Sequence, residues 1–162
     1  MNLPLVNEVV MGFDIGASGG WCCGNGHYVD IEPIPEQPKE LVRKIKFAAP
    51  TIIVAEDVHT MPGQGGVSGG KLMQSKGILI GIAAALDIKV VLIQPLRWIE
   101  TFTLKRTKHF NTKCEWKNYL KSIAEGLCPD HKFTLKTTDA FLIWYYYARV
   151  LRGEAKPIGI LT

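Results

Sequence analysis

The stretch Val9-Val10-Met11-Gly12-Phe13-Asp14-Ile15-Gly16 decides how this chain folds. Residues 8 to 15 read as a strand that is apolar on both faces, which suits the centre of a sheet covered on two sides. One carboxylate, Asp14, stands at its end. An ionised carboxylate among buried residues is costly unless a cation or hydrogen bonds compensate it. Two further elements repeat the pattern: Glu56 closes Thr51-Ile52-Ile53-Val54-Ala55-Glu56, and Asp139 opens the apolar run Asp139-Ala140-Phe141-Leu142-Ile143-Trp144. Three such carboxylates, if they converge, form a seat for metal ions.

Outward from that strand the chain alternates between periods. Gly16 to Gly20 reads as a tight turn, and Trp21 to Ile31 returns as further strands of a meander. A proline-containing linker, Ile31 to Gln37, leads to a helical spacing at Leu41, Val42, Ile45 and Ala48 within Lys39 to Ala49, and Pro50 stops it. Thr51 to Ala55 is a β-branched strand. A helix between two strands implies a right-handed crossover and parallel pairing. Met61 to Gly70 holds five glycines and one proline, and is expected to be an irregular functional loop. A helix over Lys71 to Leu86, a strand over Val90 to Gln94 ending at Pro95, a basic stretch, a helix from about Thr112 to Leu127 and a last helix over Asp139 to Leu151, capped by Thr137 or Thr138, complete the order. The sum is an α/β domain with a mixed sheet.

Bulk properties narrow the class. With 162 residues, 47% of them apolar and 21% charged, the chain supports one core, so residues 1–162 are expected to form a single domain. No run approaches the roughly 18 uncharged apolar residues of a membrane span. The first residues lack the pattern of a signal peptide, so a cytoplasmic protein is expected. Cys22, Cys23, Cys114 and Cys128 have neither zinc-site spacing nor disulfide density, and are expected to be reduced. From Arg97 to Lys136 nine Lys or Arg face four Asp or Glu, which accounts for the net charge of +4 and points to a polyanionic partner.

Oxygen-only ligands select hard cations such as Mg²⁺ or Mn²⁺, and a pair of these ions can support phosphodiester hydrolysis. Asp57 competes with Glu56 for the site, because adjacent strand residues point to opposite faces and only one can join Asp14. The consecutive aromatics Trp144 to Tyr147 run round a helix, so some face the core, and they are read as packing.

Several segments together resemble RuvC-like Holliday junction resolvases of bacteriophage type, in the RNase H-like superfamily. Gly12-Phe13-Asp14-Ile15-Gly16 is similar to their first strand, and Glu56 to Gly65 to their Glu-containing strand and loop. Lys71 to Gly77 resembles the start of their long helix, Pro95-Leu96-Arg97-Trp98 a Pro followed by basic and Trp residues, and Asp139-Ala140 the terminal Asp-Ala pair. The resemblance spans residues 9 to 151 in the correct order. It implies an RNase H-like mixed sheet, a three-stranded antiparallel meander plus parallel strands, flanked by helices. It also implies a homodimeric, Mg²⁺-dependent endodeoxyribonuclease of DNA recombination that nicks opposing strands of a four-way junction.

In that reading Asp14 is shared between two Mg²⁺ ions (Mn²⁺ substituting), Glu56 binds one and Asp139 binds or orients the other. His59 takes the place of an aromatic that stacks on opened bases, and the glycine loop with Gln64 meets the branch point. Lys71, Lys76, Lys105, Arg106, Lys108, Lys113 and Lys136 are the expected DNA contacts. The helix 71–86 is the expected dimer contact, through Ile78, Ile82 and Leu86 beside Gly77 and Gly81. One departure matters: these proteins commonly carry a further carboxylate three or four residues before the last Asp, where this chain has Lys136 and Leu135. Asp57 and Asp130 are then candidates for a fourth ligand, and Lys136 for a built-in cation. The same departure motivates one alternative, a branched-DNA-binding protein with weak or no catalysis; an RNase H-like nuclease acting on another substrate is a second.

Overall fold

The computed structural model describes residues 8–16, 18–24, 28–60, 65–102, 110, 112–151 and 153. Five strands, β1 (Val10–Phe13), β2 (Gly20–Gly24), β3 (Val29–Pro33), β4 (Ile52–Glu56) and β5 (Lys89–Ile93), form one sheet in the order β3-β2-β1-β4-β5. β1, β2 and β3 pair antiparallel, as the expected meander. β4 joins β1 in parallel and β5 joins β4 in parallel. The strand that is apolar on both faces is the central one.

Strand parity divides the core into two layers. Met11, Phe13 and Ile15 of the first strand segment, with Trp21, Cys23, Ile53 and Ala55, face α1 (Pro38–Ala48) and α2 (Gly66–Ala85), which contribute Leu41, Ile45, Leu79 and Ala83. Val10, Cys22, Ile31, Ile52, Val54 and Ile93 face the opposite layer, built from α3 (Pro95–Phe102), α4 (Lys113–Leu127) and α5 (Thr138–Tyr145). Alternation with a period of two thus assigns every even position of β1 and β4 to the α5 side.

α5 approaches β1 unusually closely, and Gly12 permits it. A Cβ at Gly12 would lie 2.7 Å from the Trp144 Cβ and 2.9 Å from both the Ala140 carbonyl oxygen and the Trp144 nitrogen. Gly20 does the same for the preceding turn, where a Cβ would lie 2.6 Å from the Lys136 carbonyl oxygen. Glycine is required at both positions because the neighbours are backbone and cannot swing aside. Gly12→Ala is therefore expected to push α5 off the sheet and lower stability by about 1–3 kcal/mol. Thermal unfolding checks this; an unchanged midpoint would show that the helix does not rest on Gly12.

Three expectations need correction. α2 begins at Gly66, inside the segment expected to be irregular, and Gly69 N–H already donates to Gly65 C=O at 3.1 Å. Each helical glycine is unfavourable by about 1 kcal/mol relative to Ala. Extending an existing helix needs no new nucleus, and Gly69 fits under Thr60, where a Cβ would meet the methyl at 2.9 Å. Second, Pro95–Phe102 is a helix, with Pro95 at its first position and Trp98 and Phe102 buried. Third, the last helix is α-helical only to Tyr145 and continues as a π-turn, Tyr146–Val150. Thr137 occupies its N-cap position, but its side chain accepts from Thr134 N–H at 3.1 Å instead of capping. No helix among the described residues is long and apolar enough to cross a membrane.

Candidate active site

Asp14 follows Phe13 at the end of β1, and Glu56 is the last residue of β4. The parallel register pairs Phe13 with Ala55, so Asp14 and Glu56 are the next pair along, on the face that α5 covers. Asp139 lies in the first turn of α5. The seat formed at Gly12 and Gly20 brings this turn down onto the same strand ends. Three sequence-predicted carboxylates are thus positioned by three different elements around one place.

Their electrostatics reflect that proximity. Burial pushes the Asp14 carboxyl above its ordinary value, and the Asp139 charge raises it further. Burial likewise raises Glu56 to about 7, with the Asp14 and Asp139 charges adding to it and the Trp98 hydrogen bond opposing it. Asp14 Oδ1 accepts from Gly16 N–H at 3.3 Å. Glu56 Oε1 accepts from Trp98 Nε1–H at 3.1 Å, which gives the indole of the Pro-Leu-Arg-Trp segment a defined role. Asp139 Oδ2 accepts from the Lys117 ammonium, whereas its Oδ1 is buried with no hydrogen-bond partner.

Lys117 is the member of this cluster that the sequence reading missed. It projects from α4, whose start is fixed by a capping box in which Glu115 N–H donates to Thr112 Oγ1 at 3.1 Å. Its charge lowers the pKa of both Asp14 and Glu56, so it is the cation of this cluster. Lys136, the expected built-in cation, is exposed, and its backbone rests on Gly20. The available signal was the four-residue spacing of Lys113, Lys117 and Lys121, which places the three on one side of a helix. Lys113 and Lys136 are exposed, as DNA contacts require, and so is Lys71.

The remaining predicted residues divide. Asp57 points to the α2 face and pairs with Lys76 at 2.7 Å and His59 at 3.2 Å; the Lys76 hydrogen bond holds its carboxyl below the usual range. It does not join Asp14, as parity dictates. Lys76 is buried rather than presented to solvent, which corrects its assignment as a phosphate contact. Asp130 sits in an exposed turn near the Cys128 thiol, whose pKa burial raises with this carboxylate adding to it. His59 is exposed three residues beyond Glu56. Gln64, Lys105, Arg106 and Lys108 lie outside the described residues. On α2, Ile82 and Leu86 pack against the chain's own core, while Met73, Gly77, Ile80, Gly81 and Ala84 are exposed.

As placed, no three His, Cys, Asp or Glu side chains among the described residues converge to hold one ion. The donor set nevertheless suits a hard dication. It is all carboxylate oxygen, it includes the buried and unpartnered Asp139 Oδ1, and the Asp139 charge raises Asp14 while the Asp14 and Asp139 charges raise Glu56, a repulsion that an ion would relieve.

No family model matches the sequence, and no curated protein matches it. Solved structures do. The chain superposes on Thermus thermophilus RuvC in complex with a Holliday junction substrate with a TM-score of 0.60 at 12% identity, covering 92% of this chain and 99% of that one. The fold is that of the RuvC-like resolvases. Fowlpox virus resolvase in complex with Holliday junction DNA gives 0.53 at 13% identity, over 88% of this chain and 98% of that one. The yeast mitochondrial Holliday junction resolvase gives 0.50 at 11% identity, over 86% and 78%. The expected RNase H-like mixed sheet with flanking helices is therefore present.

Proposed function

We propose that this protein is a divalent-metal-dependent endonuclease that cuts four-way and other branched DNA. The observation that carries the reading is that Asp14, Glu56 and Asp139, from the ends of β1, β4 and α5, lie within electrostatic reach of one another, with Asp139 Oδ1 buried and unpartnered. Asp14, Glu56 and Asp139 would hold Mg²⁺ or Mn²⁺. The bound ions would supply an activated water and charge neutralisation at the scissile phosphate.

The chain's own residues do the rest. Trp98 fixes the rotamer of Glu56, and Gly16 N–H fixes that of Asp14. Lys117, beside Asp139, would offer a hydrogen-bond donor to a phosphate oxygen bound there. Lys113 and Lys136 contact flanking phosphates, and His59 stacks at the branch. A second copy completes the junction-binding unit. It packs on the exposed small face of α2, where a Cβ at Gly77 or Gly81 would meet nothing within 4 Å. Gly77 and Gly81 belong to the contact expected from the sequence, whereas Ile82 and Leu86 pack against the chain's own core. By its likeness in motif order the protein is read as the bacteriophage type, acting in the cytoplasm of a host.

The test is cleavage of a labelled panel, with four-way junction, flap, linear duplex and RNA–DNA hybrid at matched salt. Paired nicks in the junction support the reading. Junction binding without cleavage in Mg²⁺ or Mn²⁺ would establish the binding module, and cleavage confined to the hybrid would establish the other nuclease. Lys117→Met provides a second prediction. It should bind Mn²⁺ more tightly at pH 8, since a competing cation is gone, yet cleave more slowly by about 10²-fold. Cleavage that rises with ion affinity would show that Lys117 is only a counter-ion.

A further inference from the structure

Lys76 is an ammonium that is 8% exposed on the core side of α2, in line with Leu79 and Ala83. Such a charge requires close acceptors. It has two, Asp57 Oδ1 at 2.7 Å and the Val58 carbonyl oxygen at 3.2 Å. Both belong to the two residues that follow Glu56. The backbone there is turned sharply, because Val58 N–H donates to Glu56 C=O at 3.0 Å while Asp57 N–H donates to Ile93 C=O at 2.7 Å. The other Asp57 oxygen takes His59 Nε2 at 3.2 Å.

Lys76 thus ties this turn to α2 through Asp57 Oδ1 and the Val58 carbonyl oxygen, and the turn follows directly on Glu56. We infer that Asp57 and Lys76 are a positioning pair. Their ion pair anchors the turn after β4 to α2, and so holds the Glu56 carboxylate against Asp14 on one face and His59 toward solvent on the other. Asp57 is then no ligand, because both its oxygens are engaged on the far side of the sheet. The same pair links the metal-binding strand end to the helix whose outer face is free for a second copy. The catalytic part of this inference rests on the nuclease reading; the structural part does not.

Asp57→Asn, Lys76→Met, their combination and Lys76→Arg test it. In Lys76→Met, amide hydrogen exchange at Asp57 and Val58 should accelerate by about tenfold or more. Single-turnover cleavage should fall by about 10–100-fold, as a small displacement of a reacting group does, with junction affinity within about threefold. The double variant should be no worse than Lys76→Met, since one interaction is removed twice, and Lys76→Arg should recover most of the rate. Calorimetry of Asp57→Asn with Mn²⁺ should keep the wild-type number of ions. Loss of an ion from that isotherm would make Asp57 a ligand and overturn the inference, as would additive losses or unchanged exchange. Wild-type protein that cuts no nucleic acid would sink the nuclease reading, and exchange at Val58 would still decide the positioning claim.

Discussion

Asp14→Asn is expected to reduce four-way-junction cleavage by at least about 10³-fold while leaving junction affinity within about threefold. Such a loss corresponds to about 4 kcal/mol of transition-state stabilisation. The asparagine keeps an oxygen for the Gly16 N–H, so the turn after β1 retains its hydrogen bond. It removes a charge that, together with that of Asp139, raises Glu56. The variant should fold at least as well as the parent, because a buried carboxylate facing Asp139 is a repulsion in the ion-free protein. Single-turnover cleavage, a gel-shift titration and a thermal melt separate the three effects. Cleavage within tenfold of wild type would remove Asp14 from the machinery, and loss of binding in parallel with cleavage would make it structural.

What the sequence made legible follows from strand periodicity. An apolar run on both faces of residues 9 to 15 identifies a central strand, and parity allows only one of Glu56 and Asp57 to share a face with Asp14; the register of β1 and β4 selects Glu56. The three carboxylates and their elements could be named because each interrupts an apolar element at its end, where a charge demands a reason. Lys117 was hidden for the opposite reason. A lysine on an amphipathic helix is ordinary, and only the packing of α4 against α5 brings it to Asp139. Lys76 misled in the same way, since a basic residue near the start of a helix looks solvent-facing until the helix phase is known. Gly12 was read only as part of the apolar strand and Gly20 as part of a turn, yet both act through what they allow α5 to approach. That information lies in the partner helix rather than in the local stretch. Trp98 and Glu56 are separated by 42 residues, and the hydrogen bond between them has no local sequence signature.

Glu56→Gln is expected to make the ion-free protein more stable at pH 8, by up to about 3 kcal/mol, and to flatten its pH dependence. The Glu56 carboxyl stands at about 7 instead of 4.5, so the folded protein holds a proton there that the unfolded chain releases. The folded state thus binds more protons between those values, and stability falls as pH rises through that window. The contribution of the neutral acid is complete below about 4.5 and gone above about 7. Partial solvent contact at this strand end makes 3 kcal/mol an upper figure. Glutamine mimics the neutral acid, and its Oε1 can still accept from Trp98. Melts in EDTA from pH 5 to pH 8 should therefore show a falling wild-type midpoint and a level one for the variant, with a gap of several degrees at pH 8. Dication binding must displace the same proton, so wild-type protein at pH 7 should release about half a proton from Glu56 per filled site, read as a dependence of the calorimetric heat on buffer ionisation. Glu56→Gln should lose that release together with most of the ion affinity. A wild-type midpoint that is level across the window would refute the raised carboxyl, and with it the claim that these clustered carboxylates wait there for positive charge.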